Sequence, residues 1–273
     1  MYHRKPAVAG AFYSSNRVHL REDIEKYLDE ADVKKVKGNV VGLISPHAGY
    51  IYSGPVAAYS YKLLAGSGVE LAIVLAPSHR ARFDGASIIP EGIFETPLGN
   101  VEIDAEIGMA LEKKPGFSFL KEAHASEHSL EVQVPFLQAV LGSFTMVPIV
   151  IGTTNLDACR VIAAGISGAL KGIQKKYVVI ISTDLSHYYP YSNAVQIDSI
   201  FIQSLQTFDA QRVKNDIASR KAEACGEGPV LAGMELCREL GAKRVEILKY
   251  ANSGDTAGDR SQVVGYLSAA ILQ

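Results

Sequence analysis

Six short apolar runs, rich in valine and isoleucine and separated by helical patterns, constrain this chain more than any other feature. They are VVGLIS (40–45), ELAIVLAP (70–77), FTMVPIVIG (144–152), KYVVIISTD (176–184), VEILKYAN (245–252) and QVVGYLSAAIL (262–272). None alternates strictly between apolar and polar residues. A strand with one wet face alternates; a strand covered on both faces does not have to. Between the runs, Leu20, Ile24 and Leu28 recur at four-residue spacing, as do Ala57, Tyr61 and, offset, Leu64. Segments 105–114, 156–171 and 193–207 also fit helices. Asp209 reads as an N-cap for 210–220. Pro229 falls in the first turn of 229–240, where its missing N–H costs nothing. Strands alternating with helices predict an α/β sandwich, with a central, mostly parallel sheet flanked by helices. No Gly/Ser linker, repeat or low-complexity tract interrupts the 273 residues, so a single domain over 1–273 is expected. The stretches 78–104 and 251–261 read as long loops, where function tends to gather.

Charge and composition narrow the function classes. The formal net charge of −2 gives no long-range attraction to nucleic acid or to an anionic membrane. The start, MYHRKPAVAG, lacks the apolar centre of a secretion signal. The longest apolar runs fall short of the ~18–20 residues of a membrane span. Three cysteines, Cys159, Cys225 and Cys237, suggest a reducing compartment and no disulfide framework. A cytoplasmic protein is expected, with neither nucleic acid nor a membrane as partner.

The histidines carry the candidate chemistry. His47, in SPHAGYIYSG, follows the 40–45 run. His79, in APSHRARFDG, follows the 70–77 run, and His187, in STDLSHYYPY, follows the 176–184 run. In open α/β sheets the ligand crevice lies beyond the carboxyl ends of the strands. If these strands are parallel neighbours, the three imidazoles converge there. Cys225, in EACGEGPV, precedes an expected helix start, whose partial positive charge would favour a thiolate. Imidazoles with a thiolate are a plausible first shell for Zn²⁺, Fe²⁺ or copper. No CxxC or HExxH spacing is present, so the metal reading rests on convergence in space.

Each piece also has a plainer reading. A histidine after a strand is commonly a polar loop residue, and a free cysteine is commonly a small core residue. Cys159 and Cys237 sit on apolar helix faces and are assigned to the core. His124 and His128, in HASEHSLEVQVPF, would share one face of a helix and pair with Glu127 or Glu131; a polar helix cap explains them equally well. His128 is a candidate for the rim of the crevice. Tyr50 and Tyr52 beside His47, and Tyr188 beside His187, either line an aromatic pocket or pack on helices. His3 and His19 read as surface residues.

The same stretches resemble the Memo family along nearly the whole chain. The resemblance is carried by RKPAVAGAFY (4–13), PHAGYIYSG (46–54), APSHRARFDGAS (76–87), FETPLGNVEID (94–104), EHSLEVQVPF (127–136), STDLSHY (182–188), ACGEGPV (224–230) and NSGDTAGDRSQVVGY (252–266). The order and number of these motifs make it specific. Bacterial and archaeal members are often called protein B of the AmmeMemoRadiSam system. The resemblance implies a fold like the catalytic subunit of class III extradiol dioxygenases, which are non-haem iron enzymes. By motif, His47, His79 and Cys225 match the family's metal-ligand positions. His187 matches an acid/base histidine, and Asp184 is placed to orient it. Iron or copper is the implied cofactor. An AMMECR1-like protein and a radical-SAM protein are the implied partners. Cysteine stands where the dioxygenases carry glutamate, which softens the ligand set and makes it oxidisable.

Three functions are compatible with these residues. The first is a metal-dependent redox enzyme of dioxygenase-like type. The second is a non-catalytic module holding a small molecule or peptide in the same cleft. The third is a hydrolase in which Cys225 attacks, activated by His187 or His79.

Overall fold

The computed structural model describes residues 2–273. Its strands are β1 (Tyr2–Arg4), β2 (Val40–Ser45), β3 (Leu71–Pro77), β4 (Ala86–Ile88), β5 (Gly92–Thr96), β6 (Gly99–Ile103), β7 (Phe117–Ser118), β8 (Thr145–Ile151), β9 (Tyr177–Ser182), β10 (His187–Tyr189), β11 (Arg244–Asn252) and β12 (Val263–Leu272). All six apolar runs of the sequence are strands. They join one mixed sheet in the order β1-β5-β6-β8-β3-β9-β2-β12-β10, with β11 on β12 and β4 bridging β7 and β8.

The centre of the sheet, β8-β3-β9-β2, is parallel throughout. Every residue of β3 is buried, which explains its unbroken apolar run. Its odd positions, Leu71, Ile73 and Leu75, pack into one core with Ile162, Ile166, Val230 and Leu231. Its even positions, Ala72, Val74 and Ala76, pack into the other with Leu20, Ile24, Tyr61 and Phe136. The two-residue period of a strand thus feeds two helical layers at once. Helices Arg17–Glu30, Tyr50–Lys62 and Gln133–Val140 cover one face; Leu156–Ala169, Tyr191–Gln206 and Glu227–Glu239 contribute to the other. Asp209 caps helix Ala210–Ala218 through the N–H groups of Gln211 and Arg212.

The periphery departs from the expectation. The stretch 78–104 is not a loop but holds β4, β5 and β6. β5 and β6 form a hairpin with Thr96 opposite Gly99. Only Gly92, Phe94 and Thr96 of β5 are buried, so this strand alternates and lacks the apolar run that marks the central ones. The stretch 251–261 likewise begins in β11 and then forms the short helix Ser253–Thr256, closed by a capping box between Asn252 and Asp255. The last strand also runs antiparallel to β2 and β11, so the sheet is mixed, although β1–β5, β4–β7 and β6–β8 pair in parallel outside the centre as well. Among the described residues, no helix is long and apolar enough to cross a membrane.

Candidate metal centre

The parallel centre sets the site by register. Ser45 pairs with Ser182, where β2 and β9 both end. His47, His79 and Asp184 each lie two residues beyond their own strand's last residue. The chain turns there, so their groups gather over one sheet edge.

His47 and His79 meet with ring centroids 5.2 Å apart. His128 completes the group, 5.5 Å from the His47 ring and 4.7 Å from that of His79. One ring nitrogen from each of the three lies within 4.8 Å of the other two. Cys225 also approaches His47, with Sγ 3.1 Å from its Nε2. Gly226 makes that approach possible: a Cβ there would sit 2.5 Å from the Ser182 carbonyl oxygen, so only glycine lets the Cys225 turn press on β9.

A second set of groups holds these side chains. Glu127 accepts from the His79 backbone N–H at 2.6 Å and faces its Nδ1 at 2.8 Å. Burial alone would raise the Glu127 carboxyl, but the ring, charge and backbone N–H of His79 outweigh it and hold it at about 2. The Asp184 carboxylate accepts from the His47 N–H at 2.7 Å. Its burial raises it to about 6 against that bond. Burial, then the charges of His79, His128 and His187, keep His47 well below the usual imidazole range. Burial lowers His128 to about 4. Neutral imidazoles are the form that binds metals.

Beside the cluster opens a cavity of about 600 Å³. Tyr52, His128, Asp184, His187, Tyr188 and Tyr266 are among the residues lining it. Tyr188 is exposed and held at φ +64°. That conformation is an outlier for a bulky side chain, of the kind that gathers at binding sites.

His47 and His79 come together, but the third member of their donor group is His128; Cys225 touches His47 alone among them. His128 is not merely on the rim; it stands in the cluster itself. His187 lies across the cavity, and its Nδ1 faces the Leu185 carbonyl at 2.7 Å, not Asp184. Asp184 orients the His47 turn instead. Tyr50 is turned away from the cavity: it is buried and its hydroxyl donates to the Val132 carbonyl. His124 and His128 do not share a helix. They lie on Lys121–Ala125 and His128–Glu131, broken at Glu127, which caps the second. Cys225 has no helix-favoured thiolate in the metal-free chain. Burial, then the neighbouring Asp184 charge, push its thiol up. His3 and His19 are exposed, and Cys159 and Cys237 are buried. Sequence reasoning passed over Ser182 and Gln133, which touch the site from beneath. Both sit in apolar motifs that look like plain strand and helix.

A cleft of histidines over the carboxyl ends of parallel strands, in a mixed α/β sheet, defines an α/β protein with a candidate metal centre. A family model described as Memo-like protein matches residues 4–270. MEMO1 family proteins of Ignicoccus hospitalis and Methanopyrus kandleri are each 40% identical, covering 96% and 98% of both chains. Another, from Sulfurisphaera tokodaii, is 39% identical over 97% of this chain and 98% of its own. The chain belongs to the Memo family.

Proposed function

We propose that the cleft binds a redox-active metal, iron or copper, through His47, His79 and Cys225, with His128 within reach as a further donor. One observation carries this reading. The Nδ1 of His128 is buried and has no hydrogen-bond partner; it lies 3.4 Å from Glu127 Oε1, outside bonding geometry. A buried ring nitrogen left unpaired beside two further imidazoles and a thiol is costly without an occupant. The mixed nitrogen and sulfur donors suit iron or copper. A redox metal bound here would supply Lewis acidity and one-electron chemistry.

The protein's own groups supply the rest. His187 faces the cavity from beyond β9 and is placed to move a proton to or from a bound molecule. Asp184 keeps the His47 turn in place. Tyr52 and Tyr188 form an aromatic wall for a small-molecule or peptide ligand. The family resemblance extends the proposal to AMMECR1-like and radical-SAM partners, and the three free cysteines fit a cytoplasmic setting. The hydrolase reading is less well supported: the neighbour of Cys225 is His47, not His187 or His79, and its thiol is raised, not lowered.

Anaerobic titration with Fe²⁺ and Cu⁺ tests the reading. Wild type is expected to bind one of them at least ~10-fold more tightly than a His47→Ala, Cys225→Ser double variant. Equal affinities would overturn it.

A further inference from the structure

Beneath His47 lies a buried polar chain that no expectation from sequence included. The His47 Nδ1 is 2.8 Å from Ser182 Oγ. Ser182 Oγ is also 2.7 Å from the Ser129 carbonyl oxygen and 2.8 Å from Gln133 Nε2. Gln133 Nε2 further donates to the Pro46 carbonyl at 3.0 Å, and its Oε1 accepts from the Tyr61 hydroxyl at 2.6 Å. Ser182 and Tyr61 are fully buried, and Gln133 nearly so.

Hydrogen positions follow from elimination. A carbonyl has no proton, so the 2.7 Å contact between Ser182 and Ser129 requires the serine's own proton. Reversing the Gln133 amide would turn its oxygen toward the Pro46 and Ser129 carbonyls, neither of which can donate. The amide orientation is therefore fixed, and Ser182 receives a proton from it. Serine has one proton to give, and that proton is committed. Only a lone pair is left for His47.

We infer that Ser182 is a positioning residue that holds His47 as the Nδ1–H tautomer, leaving a bare Nε2 lone pair aimed at Cys225 and the cleft. Gln133 and Tyr61 hold Ser182 in turn. The inference deepens the metal reading and rests on it for its purpose, but the tautomer itself needs no metal. The choice matters because a histidine ligates only through a nitrogen without a proton, and which nitrogen that is depends on what the other one binds. With the proton on Nε2 instead, that nitrogen would point a hydrogen into the donor cluster and leave it.

The experiment is a long-range proton–nitrogen NMR correlation on metal-free protein carrying ¹⁵N-labelled histidine, with Fe²⁺ affinity measured beside it. Wild type is expected to show His47 protonated at Nδ1 and bare at Nε2. In Ser182→Ala a substantial Nε2–H population is expected, with Fe²⁺ affinity reduced about 10–100-fold. Ser182→Thr, which returns the hydroxyl, should restore both; a purely structural loss would not divide the two variants this way. A wild-type spectrum with the proton on Nε2 overturns the inference without any variant. So does a Ser182→Ala spectrum unchanged from wild type. The Nδ1–H tautomer in a wild type that binds neither Fe²⁺ nor Cu⁺ would uphold the Ser182 assignment and overturn only the metal reading.

Discussion

Glu127 accepts the backbone N–H of His79 at 2.6 Å and meets the ring Nδ1 of the same residue at 2.8 Å. One carboxylate thus fixes both the chain and the imidazole, leaving the other ring nitrogen free. It also accepts from the Ser129 N–H as the cap of the His128 helix. Two of the three clustered histidines therefore depend on one side chain. Glu127→Gln keeps an acceptor but loses the charge. Fe²⁺ affinity is expected to fall about 10–100-fold while the fold persists. Calorimetric titration beside circular dichroism would check this; an unchanged affinity would show that Glu127 is a helix cap only.

Acid stability follows from His124 and Glu127. Burial, then the Arg4 charge, lower His124 to about 3, so the folded chain holds it neutral. The unfolded chain binds that proton near ~6.5. Its stabilising contribution is thus full above ~6.5 and is lost as pH falls toward 3. Glu127 is ionised in the fold down to about 2, so its contribution starts to fade only below ~4.5. Asp184 works the other way: raised to about 6, it costs stability above that pH and recovers it on acidification. Metal-free protein should lose on the order of a few kcal/mol between about pH 6.5 and 3. Urea unfolding across that range measures it. His124→Gln should make the slope between about pH 6.5 and 4.5 shallower without abolishing it, since His47 and His128 resist protonation over the same range and Glu127 does not yet contribute.

How much of this was readable in the chain depends on what each residue's signal was. The central strands announced themselves because both faces are buried, and an unbroken Val/Ile run of that length fits little else in a soluble fold. Residues just past those strands inherit the strand register, so His47 and His79 could be paired from their positions in the chain. Tyr50 could not be separated from Tyr52: both start the same helix, and only the rotation of that helix sends one to the core and the other to the cavity. His128 was hidden by the break at Glu127, which turns an apparent helical pair into residues of two helices. Ser182 and Gln133 were silent because a serine in a strand and a glutamine in a helix carry no chemistry until their neighbours are known.

The N-terminal segment is tied beneath the same site by a buried ion pair. Arg4 pairs with Glu131, and its other nitrogens donate to the carbonyls of His124 and Glu127. Glu131 also accepts from the Ala7 and Val8 N–H groups and the Tyr13 hydroxyl. Removing one partner leaves an uncompensated buried charge. Arg4→Met is expected to cost about 3–5 kcal/mol in chemical unfolding. A loss under ~1 kcal/mol would mean that the freed carboxylate is solvated or protonated at little cost.

Strain at Tyr188 gives a prediction of opposite sign. A glycine adopts its φ of +64° freely. Tyr188→Gly should raise stability by about 1 kcal/mol through relief of strain, read as a higher urea midpoint. Fe²⁺ affinity should stay within about twofold, because Tyr188 lines the cavity and not the donor cluster. A lower midpoint would show that the exposed ring makes packing contacts worth more than its backbone costs.

The thiol of Cys225 should respond to Asp184. Burial is the larger cause that raises it and the Asp184 charge the next, while the Asp184 backbone N–H, 3.3 Å from Sγ, works against both. Replacing the carboxylate leaves that N–H in place. Asp184→Asn therefore removes one raising cause and keeps the lowering one, so the thiolate fraction at a fixed pH must increase. Each unit of decrease is roughly a tenfold gain in thiolate. Iodoacetamide should label metal-free wild type slowly at about pH 8 and the variant about 3–10-fold faster, with Fe²⁺ protecting the wild-type thiol. Labelling rates that match would mean that Asp184 is already protonated at that pH, contrary to its value of about 6.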